Sequence, residues 1–150
     1  MIKVQFSTTN TAQLFSAAVG KTTGLVEQVA VDPKYDLEDR LINYTCVMID
    51  IVDALPNSWV GNYIAGQLIR SCHSPAFNYG EAQGVESRND FIHKMSIVLK
   101  ELKECRVALK IIRKKILVSP GLTDPVYSET EALNAIIGKS IATAKKNKVK

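Results

Sequence analysis

Histidine, cysteine and paired carboxylates are the side chains here that could hold a metal or attack a substrate. Their spacing decides whether any of them can. A di-iron centre inside a helical bundle needs a Glu from each of two helices and a Glu-x-x-His from each of the other two. The nearest arrangement is Asp90-x-x-His93, which occurs once and at a helix start. Glu101 and Glu104 have no histidine at the matching offset, and neither does His73 have a partner. The chain thus offers no metal ligand set, and both histidines read as surface or interface residues. Cys46, Cys72 and Cys105 are odd in number and widely spaced, which fits neither a disulfide framework nor a zinc site. They lie on apolar helical stripes, where burial raises a thiol pKa instead of lowering it, so they read as reduced core thiols. Gly20-Lys21-Thr22-Thr23 matches the end of a phosphate-binding loop, but the first glycine of that motif would fall on Phe15. No catalytic residue, metal or cofactor is expected.

Charge is more informative. Net charge is +4, yet from Lys94 to Lys115 eight Lys or Arg face only Glu101 and Glu104. Lys103, Arg106, Lys110 and Arg113 recur at spacings of three and four, a basic stripe that Lys114 and Lys115 extend. Such a stripe can track a phosphate backbone. It can equally be a solvated face balanced by the acids of the first helix, Asp36, Glu38, Asp39, Asp50 and Asp53. No aromatic residue interleaves with these bases along the helix, which favours electrostatic binding over base stacking.

The elements that carry these residues are helices. Asp36 suits an N-cap, and Leu37, Leu41, Tyr44, Met48, Ile51 and Leu55 follow at alternating fours and threes. Pro56-Asn57-Ser58 ends that helix. A second begins near Trp59 and carries Val60, Ile64, Leu68 and Cys72 on one face, with Gly61, Ala65 and Gly66 allowing close approach. Pro75 predicts a kink or break near Ser74, because it removes a hydrogen bond from the helical ladder. Ser87 caps a third helix with Asp90 three residues on, and Phe91, Met95, Val98, Leu102, Cys105, Leu109, Ile112 and Ile116 hold a heptad register. After Ser119-Pro120-Gly121 and Asp124-Pro125, a fourth helix is predicted from Ser128, with Glu131 completing a capping box. It buries Leu133, Ile136, Ile137, Ser140, Ile141 and Ala144, and Lys145 to Lys150 form a charged tail. Four amphipathic helices with short turns make an all-α, antiparallel four-helix bundle over residues 35–150. Residues 1–34 lack a sustained helical period and read as a poorly structured N-terminal extension.

The run Gly66-Gln67-Leu68-Ile69-Arg70-Ser71-Cys72-His73-Ser74-Pro75-Ala76-Phe77-Asn78-Tyr79-Gly80-Glu81-Ala82, followed by Ser87-Arg88-Asn89-Asp90-Phe91-Ile92-His93-Lys94, resembles the four helix bundle protein family, also known as 23S ribosomal RNA intervening-sequence proteins. The resemblance extends from Tyr35 to about Lys146. Its signature falls on Arg70, Ser74, Pro75, Asn78, Glu81, Ser87 and Phe91. It implies small bacterial bundles that assemble as ring-like homopentamers, related to the accessory variability proteins of diversity-generating retroelements, which are basic pentamers that bind nucleic acid and a reverse transcriptase. The family has no established activity. Ribosomal RNA or another nucleic acid, a reverse transcriptase and further copies of the chain are therefore the implied partners. In physical terms the same residues read as structure: Arg70, Asn78 and Glu81 flank the expected break at Pro75, and an Arg70–Glu81 or Arg70–Glu101 pair would lock it.

With 46% hydrophobic residues in 150, one core is expected. No apolar run approaches the roughly 18 or more residues of a membrane span, and the N-terminus lacks the charged and apolar regions of a secretory signal, so a cytoplasmic protein is expected. The leading expectation is a non-enzymatic homo-oligomeric bundle that binds RNA or DNA through Lys103, Arg106, Lys110, Arg113, Lys114 and Lys115. A protein-interaction scaffold is the alternative.

Overall fold

The computed structural model describes residues 33–147. Residues 1–32 of the N-terminal extension, with its phosphate-loop-like segment, and the last three residues lie outside them, while Pro33 and Lys34 belong to the first helix. Four helices follow in order: α1 (Pro33–Ala54), α2 (Trp59–Gln83), α3 (Arg88–Lys115) and α4 (Pro120–Lys146). The connections 55–58, 84–87 and 116–119 are too short to let consecutive helices run any way but antiparallel. Helix α1 packs on α2 and α4, and α3 packs on α2 and α4, so α1 and α3 sit on opposite corners of the bundle. Among the described residues there is no strand.

The core follows the expected registers closely. Leu41, Tyr44, Met48 and Ile51 of α1 meet Ile64, Leu68, Cys72 and Tyr79 of α2, Met95, Val98, Leu102, Cys105, Leu109 and Ile112 of α3, and Val126, Leu133, Ile137 and Ile141 of α4. Each fully buried aliphatic side chain contributes about 1.5–3 kcal/mol by leaving water, which outweighs the weak intrinsic helicity of any one segment. Three expected core members are surface residues instead: Cys46 is exposed, Val60 is half exposed, and Ile116 is 70% exposed because α3 has already ended there. Ile116 takes a left-handed backbone with φ 51°, and the amides of Ile116 and Leu117 close on the carbonyls of Arg113 and Ile112. That is a Schellman stop built on a β-branched residue, where glycine is the unstrained choice.

Three boundaries differ from expectation. Helix α1 starts at Pro33, so Asp36 lies in its first turn and is not the cap. Helix α4 starts at Pro120, with Pro125 inside it and Ser128 a full two turns along. Proline suits the first turn of a helix, since its missing N–H would have no partner there, and Pro125 costs a single bond in the second turn. Buried Thr123, Val126 and Thr130 supply the packing that extends α4 back to Pro120. Helix α2, finally, runs unbroken through Pro75.

The last point has a physical reason. Pro75 has no N–H for the Ser71 carbonyl four residues earlier. Around this gap, the single Thr45 hydroxyl proton on α1 is shared between the Cys72 carbonyl at 3.1 Å and the Leu41 carbonyl of α1 at 2.9 Å. Asn78 Nδ2 donates to the carbonyl and hydroxyl oxygens of Ser74, each at 3.0 Å. The Pro75 ring itself is buried. These side-chain contacts and the buried proline ring surround the missing bond, and α2 continues through Pro75 without a break. The Ser58 and Ser87 hydroxyls cap α2 and α3 by accepting from the Gly61 and Asp90 amides. At Gly61 the Pro56 carbonyl comes so close that any Cβ would collide with it, whereas Gly66 faces open space and supports no close approach.

Candidate functional site

The six bases of the expected stripe leave α3 in two directions. Arg106 and Arg113 turn toward α4. Arg106 Nη1 lies 3.6 Å from Glu131 Oε1, and its Nε is buried without a partner. Arg113 meets Asp124 Oδ1 through both Nε and Nη2 at 2.9 Å and lies 4.3 Å over the Tyr127 ring. Both guanidiniums are therefore half-buried in the α3–α4 seam. Lys103, Lys110, Lys114 and Lys115 point to solvent, and no described carboxylate pairs with any of them. Lys110, Arg113 and Lys114 border a hollow of about 590 Å³ that also meets Val118, Pro120, Thr123, Asp124 and Tyr127.

A larger groove of about 670 Å³ opens between α2 and α3. Its floor is apolar: Ile64, Leu68, Leu99, Val107, Ala108 and Ile111, with Tyr63 at one side. Lys100, Lys103 and Glu104 stand on its rim. Glu104 is already occupied, accepting from Ser71 Oγ at 3.1 Å and lying 3.8 Å from Lys100. Trp59, 84% exposed, stacks on Tyr63 at 6.1 Å between ring centroids. An exposed aromatic pair thus lies beside the bases on the neighbouring helix, which the spacing within α3 could not reveal.

The signature residues of α2 and α3 other than Arg70 do structural work, and the pairs expected of Arg70 are not formed. Glu81 pairs with Lys94 of α3, not with Arg70. Arg70 is exposed and forms no ion pair among the described residues. Glu101 likewise does not pair with it; burial, with the Glu104 charge beside it, pushes the Glu101 carboxyl up, and Lys100 and His73 pull the other way. Ser74, Pro75 and Asn78 form the tied segment of α2, Ser87 caps α3, and Phe91 packs half-buried against the core. The strongest polar tie between helices went unread in the sequence: Arg40 of α1 grips Glu129 of α4 through Nε–Oε1 at 2.5 Å and Nη2–Oε2 at 2.9 Å.

The thiols divide as well. Cys72 and Cys105 are buried, and burial pushes them up to about 11 and about 12. Both stay protonated and unreactive at neutral pH. Cys46 is exposed, contrary to its expected place in the core, because it falls on the outer edge of α1 between Ile42 and Ile49. It borders a shallow hollow of about 440 Å³ between α1 and α2, with Ile42, His73 and Phe77. His73 and Phe77 meet edge to face at 5.9 Å. Among the described residues no three His, Cys, Asp or Glu side chains converge as a metal site, and no helix is long and apolar enough to cross a membrane.

No protein-family model matches the chain, and no curated protein matches it. Among solved structures it is similar to a protein of unknown function from the S23 ribosomal protein family of Bacteroides thetaiotaomicron, at 23% identity and a TM-score of 0.65. The likeness covers 69% of this chain and 96% of that one. It establishes a shared helical-bundle fold.

Proposed function

We propose that this chain is a non-enzymatic, self-assembling helical bundle that binds RNA or DNA through the solvent-facing lysines of α3. One observation carries the reading: Lys103, Lys110, Lys114 and Lys115 share an exposed surface with no described carboxylate paired to them. The acids that could have balanced them are elsewhere. Glu131 and Asp124 are engaged by Arg106 and Arg113, Glu104 by Ser71 and Lys100, and the acidic α1 is on the opposite corner of the bundle. Unneutralised cations in a row gain affinity from the counterions they release on meeting phosphates. The protonated core thiols give no support to a nucleophile, and the fold shared with a protein of the S23 ribosomal protein family agrees with the family resemblance of the α2–α3 segment. A homopentamer, and ribosomal RNA or a reverse transcriptase as partners, are what that resemblance implies for this chain.

The test is binding of a structured RNA and of duplex DNA as a function of salt. For duplex DNA the logarithm of affinity should fall by about 0.9 per neutralised phosphate for each unit of log salt. Reversing Lys110, Lys114 and Lys115 to Glu should lower that slope by about three and leave the fold intact, since all three are exposed and paired with no described carboxylate. Affinity that is undetectable at low salt, or unchanged by the triple reversal, sinks the nucleic-acid reading.

A further inference from the structure

Two exposed faces of this molecule are complementary to one another and cannot meet within one copy. The first is the outer stripe of α1: Ile42, Cys46 and Ile49 at spacings of four and three, all exposed, with Asp39, Asp50 and Asp53 exposed around them. Among the residues of α1 with described side chains its one base is Arg40, and that is held by Glu129. The second is the α2–α3 groove, where exposed Tyr63, Val107 and Ile111 and the partly open Leu99 form an apolar trough. Its rim carries Lys100 and Lys103, with Lys110 beyond; the single rim acid, Glu104, accepts from Ser71 and lies 3.8 Å from Lys100, which leaves Lys103 the unpaired rim base. One face is apolar with acids around it, and the other is apolar with bases around it. Resting on the self-assembling reading above, we infer that α1 of one copy docks in the α2–α3 groove of the next.

The occupant is a second copy because both halves of the match are on this chain. Ile42 and Ile49 with Cys46 between them at helical spacing, set against the apolar trough of Tyr63, Val107 and Ile111, make the pattern of a helix laid in a groove, and the opposite charges fix its orientation and disfavour stripe-to-stripe or groove-to-groove pairing, where like charges would meet. Helix α1 lies opposite α3, so a chain cannot fill its own groove with its own α1. Each copy therefore gives one face and receives at another. Such a contact is head-to-tail: it propagates until the accumulated rotation closes a ring. It also divides the basic surface. Lys100 and Lys103 serve the joint, and Lys110, Lys114 and Lys115 stay free along its outer edge for a polyanion.

The experiment uses two full-length chains that each lose one face. Ile42→Asp spoils the stripe and Val107→Asp spoils the groove, both at exposed positions, so circular dichroism should match the parent. At about 50 µM, enough to fill a micromolar-class joint, the unaltered chain should sediment as an assembly and each variant as a monomer. Mixed, the two variants retain one intact stripe and one intact groove, and should form a 1:1 dimer that grows no further. A chain with Lys100→Glu and Lys103→Glu and one with Asp50→Lys and Asp53→Lys should each fail to assemble alone and associate when mixed, which serves if an aspartate variant misfolds. Cys46 should label at least tenfold more slowly in the assembled parent than in the Val107→Asp chain. An assembling parent whose mixed variants stay monomeric, or whose variants assemble as it does, overturns these faces while self-assembly stands. A monomeric parent, as would follow if another partner or residues 1–32 filled the groove, overturns both.

Discussion

Arg40 and Glu129 form a two-pronged ion pair, Nε to Oε1 at 2.5 Å and Nη2 to Oε2 at 2.9 Å, that fastens α1 to α4. The contact between these two helices is the thinnest of the four seams, so one well-placed pair counts for more there than it would between α3 and α4. The carboxylate is nearly buried and the guanidinium about one-third exposed. Removing the base would leave Glu129 with less than its share of donors. Arg40→Ala should cost about 2 kcal/mol, allowing for partial solvent screening, and Arg40→Lys about half of that, since an ammonium cannot make both parallel bonds. Urea denaturation followed by circular dichroism measures both; equal costs would mean that geometry does not matter at this pair.

Helix α2 passes through Pro75 with help from α1. Thr45 reaches across to the Cys72 carbonyl at 3.1 Å. Thr45→Val keeps the shape and removes the donor, so it should cost about 1 kcal/mol. The loss should appear first in local opening, as faster amide exchange in the turn around Cys72 than in the distant turns of α3. Uniform exchange across both helices would show that Thr45 has no local part in holding the proline turn.

Ile116 ends α3 in a backbone conformation that glycine adopts freely and a β-branched residue does not. Its side chain is mostly in solvent, so little burial is lost on its removal. Ile116→Gly should therefore raise stability by about 1 kcal/mol, with the Schellman bonds from residues 116 and 117 retained. A lower thermal midpoint for the glycine variant would contradict this account.

Cys72, Cys105 and Tyr44 share the core, and burial, the largest influence on each, raises all three. In the unfolded chain the thiols ionise near their ordinary 9.0, whereas in the fold they hold protons up to about 11 and about 12. Between those values the native state binds more protons than the unfolded state, so stability falls as pH rises. Their contribution is whole below pH 9 and is lost progressively above it. Denaturation midpoints measured from pH 7 to 11 should be flat at first and then decline, and Cys105→Ala should reduce the steepness of the decline while lowering the plateau through the cavity it leaves. In native protein at pH 8 an aromatic disulfide reagent should find one accessible thiol, Cys46, once assembly is broken by Val107→Asp.

The helices and their buried registers were legible in the amino-acid sequence, because burying an apolar stripe is a local, periodic requirement that each segment states for itself. Met95 to Ile112 illustrates it, as do Leu41 to Ile51, the serine cap at 87 and the stop at Pro56-Asn57-Ser58. What tertiary structure alone decided is where marginal and charged residues go. Pro75 reads as a break and Pro125 as a connection when each helix is weighed alone; the buried neighbours Thr123 and Val126, and the reach of Thr45 from α1, outweigh one lost hydrogen bond in each case. Charge pairing is likewise a property of which corners of the bundle adjoin. Arg106 and Arg113 share a spacing with Lys103 and Lys110, yet α4 takes the first two into its seam and leaves the lysines to solvent. Cys46 follows the same logic: three residues from Asn43 and four from Ile42, it sits just past the edge of the stripe that packs inward, and only the placing of α2 beside α1 shows that this edge faces out.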